Sequence, residues 1–359
     1  MKIISRYVLR EFFKIFALTV CGLLTIIMVF DFFENLDLIT LFHAPPKLFF
    51  YFLVFRVPFV VYQLIPLSAL ISTLICLNLF ARNREVVAMR ANGISLYHLA
   101  GPILVLCFGL SLFCLILNES IVPAANVRSR WIERIEIKKK KPLYMFPTEH
   151  IWLRNHNNIY SINWYDEKNT TLHQVSINEF DDHFELVRRW EARTGIWDGR
   201  SWVFHDVNVK QLDQQGRFQL TKKKRERIPF PLKPDDFTRP EKKIEEMSYF
   251  ELRDYIQQAQ EEGHDATFYL PGLQAKLAFP FVSFIMSLIA IPLALRTGTG
   301  KGIATSIGLG LLLGFGYWLI FGFSLSFGHA GFFPPVIAAW LTNTLFASFG
   351  IFLLLTVRY

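Results

Sequence analysis

The sequence predicts a polytopic α-helical membrane protein: six transmembrane helices in a three-plus-three arrangement, with a β-jelly-roll-like domain inserted between the halves. Three observations carry this prediction. Residues 15–36, 49–81, 97–122, 271–295, 302–327 and 334–357 form six apolar segments, each at least as long as the ~20 residues that cross ~30 Å of hydrocarbon as a helix. The chain of 359 residues is 52% hydrophobic, with a mean hydropathy of +0.30. One polar block, roughly 125–265, separates the two groups of segments. The domains expected are therefore residues 1–124 (spans one to three), 125–246 (a β-rich exterior domain) and 247–359 (a connecting amphipathic helix and spans four to six).

The first span follows Lys2, Arg6, Arg10 and Lys14 and runs into Phe30-Asp31-Phe32-Phe33-Glu34 with no small-x-small cleavage site. It reads as a retained anchor and not as a signal peptide. The second span, from Phe49 to Phe80, is too long for one perpendicular crossing, and Pro58 and Pro66 are expected to kink it. Residues 82–95 then read as a short helix stopped by Gly93, with Val86, Met89 and Arg90 at three-and-four spacing on one compact face. A rigid helix continuous with two spans turns a push from a motor into tilting of those spans.

The polar block carries strand-like runs, Ile151-Trp152-Leu153, Ile159-Tyr160-Ser161-Ile162 and Gln174-Val175-Ser176-Ile177. Asp198-Gly199 between two such runs is a hairpin signal. Val203, Val207 and Val209 alternate with Phe204, Asp206, Asn208 and Lys210, as in a strand with two unlike faces. A sandwich or jelly-roll-like domain follows, able to hold a lipid chain between its sheets or to dock another β-protein at an edge. Ser248 and Glu251 form a capping box ahead of an amphipathic helix that Gly263 stops. Gly308, Gly310, Gly314 and Gly316 give span five a small-residue face for helix packing or for bending at a gate.

Orientation follows from the positive-inside rule. The basic residues before span one, Arg82, Arg84 and Arg90 after span two, Arg296 and Lys301 after span four, and Arg358 after span six all fall on one side, so both termini are expected in the cytosol and the β-domain outside. The four cysteines, Cys21, Cys76, Cys107 and Cys114, lie within spans, which leaves no disulfide framework and no zinc spacing. A formal charge of +8 is spread over membrane flanks and the exterior block, which favours anionic lipid over nucleic acid. The runs Lys138-Lys139-Lys140-Lys141 and Lys222-Lys223-Lys224-Arg225 read as solvated loops or as contacts to phosphorylated head groups.

No HExxH, P-loop or GxSxG pattern is present, and no paired carboxylates lie inside a span. Arg56, Glu119 and Lys276 fall near the outer ends of spans, where snorkelling accounts for each. Without a mid-membrane acid or base, any transport must draw energy from another chain. A membrane-anchored sensor is the alternative class, but it would carry a cytosolic output domain. A lipid-modifying enzyme would need a catalytic set, and His43, Glu119 and His329 are too scattered to form one.

Three stretches carry a family resemblance: Ser5-Arg6-Tyr7-Val8-Leu9-Arg10-Glu11-Phe12, residues 84–95 with Met89-Arg90-Ala91-Asn92-Gly93, and Lys276-Leu277-Ala278-Phe279-Pro280 leading into Ile289-Ala290-Ile291-Pro292. Together with Pro334-Pro335-Val336 they resemble the LptF/LptG permease family of the lipopolysaccharide exporter, over almost the whole chain. Leu252-Arg253-Asp254-Tyr255-Ile256 is more similar to the LptG branch.

The resemblance implies an inner-membrane protein of a Gram-negative bacterium, a heterodimer with a second permease, and a cytosolic LptB-type ATPase dimer that uses ATP and Mg. This chain itself is expected to bind no cofactor. It further implies an LptC-type bitopic protein and an LptA-type periplasmic bridge as recipients of lipopolysaccharide. Arg84, Glu85, Val86, Met89, Arg90 and Gly93 fall in the family's coupling helix, with Glu85 at the acidic position that docks on the ATPase. Spans one and five border the other permease and form lateral gates. The sequence departs from the pattern in having Asp31, Glu34 and Asp37 at the outer end of span one, where basic groups would suit a phosphorylated lipid. Arg128, Arg130 and Arg134 are the head-group candidates by position and charge.

Overall fold

The computed structural model describes residues 2–92, 96–139, 149–155, 157–166, 169–181, 184–212, 218–234, 237, 242–261, 266–297 and 303–356. The chain divides into two compact units: Met1–Lys139, Ile244–Arg253 and Thr267–Tyr359 in one, Lys140–Lys243 and Asp254–Ala266 in the other.

The helices of the first half are α1 (Lys2–Glu34), the single turn α2 (Asp37–Thr40), α3 (Pro46–Arg82), α4 (Glu85–Ala91), α5 (Leu96–Glu119) and α6 (Ile121–Trp131). A π-helical turn, Ile132–Ile137, continues α6, so helix persists past residue 125, the boundary expected for the β-rich block. After the β insertion come α7 (Tyr249–Glu261), α8 (Leu270–Ala278), α9 (Val282–Thr297), α10 (Ile303–His329) and α11 (Pro335–Thr356). Six of these segments are long and apolar enough to cross a membrane, α8 and α9 together making the fourth.

Their burial is uneven. The most apolar windows of the second and fourth spans are 72% and 78% buried within the chain, against 11% for the first. Spans two and four are therefore the centre of the helical unit, where Leu70, Leu74, Leu77 and Phe80 of α3 pack with Val282, Met286 and Ala290 of α9. α3 runs without interruption through Pro58 and Pro66.

The fourth span is broken by a 3-10 turn at Phe279–Phe281. Pro280 has no N–H to donate to the carbonyl of Lys276, and inside a bilayer no water replaces it. Amide side chains from neighbouring spans do so: Asn118 Nδ2 donates to Lys276 O at 3.4 Å and Asn343 Nδ2 donates to Ala278 O at 2.7 Å. Asn343 Oδ1 in turn accepts from the buried Tyr317 hydroxyl at 2.8 Å. Asn78 Nδ2 to Ser306 Oγ (2.5 Å) and Ser324 Oγ to Ala338 O (2.7 Å) add further cross-span bonds, the usual polar cement between membrane helices.

The second unit holds an antiparallel meander, β1 (Glu149–Asn155), β2 (Asn158–Asp166), β3 (Thr171–Phe180), β4 (Leu186–Trp197), β5 (Trp202–Leu212) and β6 (Phe218–Arg227), in spatial order 1 to 6. The expected inserted β domain is there, but its described strands make one sheet where a sandwich would have two. The apolar face is covered by the chain that follows β6: Ile228, Leu232 and Phe237 are buried, and Trp202 Nε1 donates to Leu232 O at 2.7 Å.

The hairpin at Asp198-Gly199 forms as expected, with Gly199 at φ +93°. The alternation expected for β5 does not hold throughout. Phe204 is fully buried together with Val207 and Val209. Buried positions occur as Ile162 and Tyr165, Leu172 and Val175, and Phe204 and Val207, three apart where an undisturbed strand would place them two apart. Gln174 and Asp206, both at φ +52°, lie between such pairs, and Val175, Ala192 and Val207 stand opposite one another in adjacent strands. In β3 and β5 the left-handed residue slips the side-chain parity by one, and the three-residue spacing of β2 falls in line with it, creasing the sheet. Gly195 sits by this crease, where an added Cβ would come 2.8 Å from the Phe204 ring.

Candidate functional site

At one end of the helical bundle, α3 finishes at Arg82. Asn83 N donates to Leu79 O at 2.9 Å, and Arg84 turns the chain at φ +57° before α4 begins. Val86 and Met89 pack against the helical core, so the side of α4 turned outward carries Val87, which is 60% exposed, with Arg84 and Ala88. Glu85 Oε1 accepts from Tyr7 Oη and from Asn83 Nδ2, each at 3.4 Å, and the Tyr7 ring lies 5.6 Å from that of Phe80. Glu85 thus ties α4 to the start of α1 and to the end of α3. Gly93, Ile94 and Ser95 lie outside the described residues, as does the side chain of Arg90.

The glycines of α10 fall into two pairs. A Cβ on Gly310 would meet Ile71 Cγ1 at 2.7 Å, and one on Gly314 would meet Leu67 Cδ1 at 2.5 Å. These two let α10 approach α3 closely. Gly308 and Gly316 have nothing within 4 Å among the described residues and share the outward side of α10 with the exposed Leu312, Phe315 and Phe323.

At the opposite end, α1 and α3 enclose an open apolar groove of about 630 Å³ lined by Leu24, Met28, Phe32, Phe33, Phe50 and Val57 among others. Asp31, 7% exposed, pairs beside it with Arg56 at 3.1 Å, and the Arg56 guanidinium lies over the Phe52 ring at 5.5 Å. A charge pair inside an otherwise apolar contact between two spans holds their register at the groove. The chain therefore has a lightly buried first span, an apolar groove opening between spans one and two, and a helix clipped across the far end. A family model, the lipopolysaccharide export system permease LptF/LptG, matches residues 6–356.

The chain belongs to the LptF/LptG permease family. No curated protein matches it. Membership makes it an inner-membrane permease subunit of lipopolysaccharide export, and the six spans with a β insertion agree with that.

The arginine candidates of this LptF/LptG permease all have intramolecular roles. Arg128 pairs with Glu136 at 2.9 Å and keeps a side chain that is 47% exposed. Arg130 Nη1 donates to both carboxylate oxygens of Glu246 at 2.8 and 2.9 Å. Arg134 is half-buried and engaged as well. The Glu246 bond belongs to a set that clips the returning chain to α6 and α5: Asn126 Nδ2 donates to Glu245 O at 2.8 Å, and Tyr249 N donates to Glu119 Oε2 at 2.9 Å. The expected capping box is formed next to it, Ser248 N to Glu251 Oε2 and Glu251 N to Ser248 Oγ, both 3.1 Å.

Lys276 does not snorkel. It is 8% exposed and lines an apolar-walled cavity of about 270 Å³ with Gln63, Glu245, Trp318 and His329. Sequence reasoning missed this cavity because its walls come from five separate segments; the lone signal was a lysine within an apolar run. Among the described residues no group of three or more His, Cys, Asp or Glu could hold a metal ion.

Proposed function

We propose that this permease is one half of an ATP-driven exporter that lifts lipopolysaccharide from the outer leaflet of the inner membrane and passes it to a periplasmic bridge. The family match over residues 6–356 carries the reading. In it both termini and α4 face the cytosol and the β unit faces the periplasm, as the distribution of basic residues favours. A second permease of the same family covers α1 and the outward side of α10, whose apolar windows are 11% and 28% buried and where a lateral gate is expected. Leu252-Arg253-Asp254-Tyr255-Ile256 favours the LptG-like branch.

The physical task is to move acyl chains without wetting them, because exposure costs about 0.8 kcal/mol per CH₂. The groove between α1 and α3 offers such chains an apolar wall. ATP is bound and hydrolysed by a separate LptB-type dimer that closes on α4. Because Glu85 is tied to Tyr7 and Asn83, displacement of α4 is passed to α1 and α3 together, and the lipid space between the permeases narrows. Arg128, the most exposed of the three arginines, is the head-group contact this reading favours. An LptC-type protein and an LptA-type bridge receive the lipid.

The test is purification of the tagged chain with its partners, followed by ATP turnover in proteoliposomes. A second permease and an ATPase should co-purify, and Glu85→Ala should uncouple lipid release from turnover. Intact coupling in that variant would remove α4 from the mechanism, and purification of the chain alone without ATPase would remove the exporter reading.

A further inference from the structure

The cavity around Lys276 has a composition that the export pathway does not require. Its walls are aromatic: Phe279 stands 5.0 Å from Tyr62, 5.5 Å from Trp318 and 6.1 Å from Phe321, ring centre to ring centre. Into this wall is set an ammonium group with no hydrogen bond or ion pair among the described residues. Glu245, Glu119 and Glu251 act on Lys276 electrostatically. Two of them are occupied, Glu119 by the Tyr249 N–H and Glu251 by the Ser248 N–H. Glu245 is exposed, lines the same cavity, and uses only its backbone carbonyl in a bond. An ammonium drawn this far from bulk water is costly while its carboxylate neighbours act only at a distance, and an anionic oxygen in direct contact would relieve that cost. The Glu245 carboxylate, with no side-chain hydrogen bond among the described residues, sets a negative charge on the same rim, so the cavity presents both signs above an apolar wall.

A head group that carries a phosphodiester and an amine a few bonds apart, on an acyl chain, matches all three features. We propose that this cavity binds one phosphatidylethanolamine molecule, its phosphate on Lys276, its ammonium toward Glu245 and one acyl chain along Trp318 and Phe321. At about 270 Å³ the cavity takes one small head group and the start of one chain, the size of a phospholipid end and not of a multiply acylated lipid, so the occupant assigned is a resident lipid. His329 ends α10 on the rim, its Nδ1 bonded to Phe268 O at 2.7 Å, and Gln63 stands on the α3 side. A lipid seated there bridges α3, α8 and α10, which are held in contact around the broken fourth span.

The assignment does not rest on the export reading and survives its failure. The full-length protein with its co-purifying partners, delipidated in detergent, is titrated with phosphatidylethanolamine or phosphatidylglycerol and read by native mass spectrometry. The wild type should bind one phosphatidylethanolamine in preference to phosphatidylglycerol. Lys276→Met should lower that occupancy about tenfold, the value of a lost charge-assisted hydrogen bond, while Lys276→Arg should retain most of it. Glu245→Gln, at an exposed position that leaves the fold intact, should abolish the preference between the two lipids. Unchanged binding in folded Lys276→Met, equal binding of both lipids by the wild type, an unchanged preference in Glu245→Gln, or Lys276-dependent retention of lipopolysaccharide in place of phospholipid would each overturn the proposal.

Discussion

Gly310 and Gly314 are separated from Gly308 and Gly316 by what stands opposite them. The first pair faces Ile71 and Leu67 on α3 at distances a Cβ could not keep, and the second has nothing within 4 Å among the described residues. Gly314→Val should therefore cost about 1–3 kcal/mol by overpacking. Gly308→Ala and Gly316→Ala should leave the folded subunit as stable or gain ~0.5 kcal/mol from helix propensity. Thermal unfolding in detergent separates the two classes, and equal losses at all four sites would refute the division. A second prediction concerns Asp198. Its Oδ1 accepts from the backbone N–H of Ser201 at 2.8 Å and of Arg200 at 2.9 Å. With Arg227 nearby, these bonds hold its carboxyl below the usual 3.8. A depressed folded-state value means that its contribution is present above the unfolded value and is lost as pH falls through the folded one. Amide exchange at Ser201 should thus gain in speed below about pH 4, relative to the intrinsic rate, and Asp198→Ala should show that faster exchange already at pH 7.

Among the elements, the fourth span shows how a break is tolerated in a membrane. Pro280 and the 3-10 turn free two carbonyls, and Asn118 on α5 and Asn343 on α11 bond them. Asn343→Leu would leave Ala278 O and the Tyr317 hydroxyl without this partner. The loss should be on the order of 1 kcal/mol for each bond, seen as a lower melting temperature with the span count unchanged. An unaltered melting point would mean that the turn finds other donors. The same motif, Lys276 to Pro280, was legible as a family signature, yet its reason was not. The sequence shows a proline in an apolar run; which distant amides replace its missing bond depends on three helices meeting at one height.

For the whole molecule, the arrangement of charge predicts which face each unit meets. Val87 and Trp152 are 60% and 69% exposed. Carrying single cysteines in a background without the native four, Val87→Cys should react with a membrane-impermeant maleimide only from the cytosolic side of the inner membrane, and Trp152→Cys only from the periplasmic side. Labelling of both from one side would invert or break the proposed topology. The uneven burial of the spans belongs to this scale too. A first span with 11% of its apolar window covered is finished by lipid or by a second chain, which is the condition for a gate that opens sideways.

Sequence alone determined the number of spans, the existence and place of the β insertion, the Asp198-Gly199 hairpin and the Ser248–Glu251 capping box. Each is set by local length, periodicity or a three-residue spacing, and membrane length is a strong local signal. Tertiary structure alone decided that Val86 and Met89 turn into the bundle, that Arg130 bonds Glu246, and that Lys276 is buried. It also decided the crease in the sheet, where left-handed residues at Gln174 and Asp206 interrupt the alternation that had separated Phe204 from Val207. These features depend on which side of one helix meets another and on a single backbone angle within a strand, and neither is encoded in the spacing of residues along one segment.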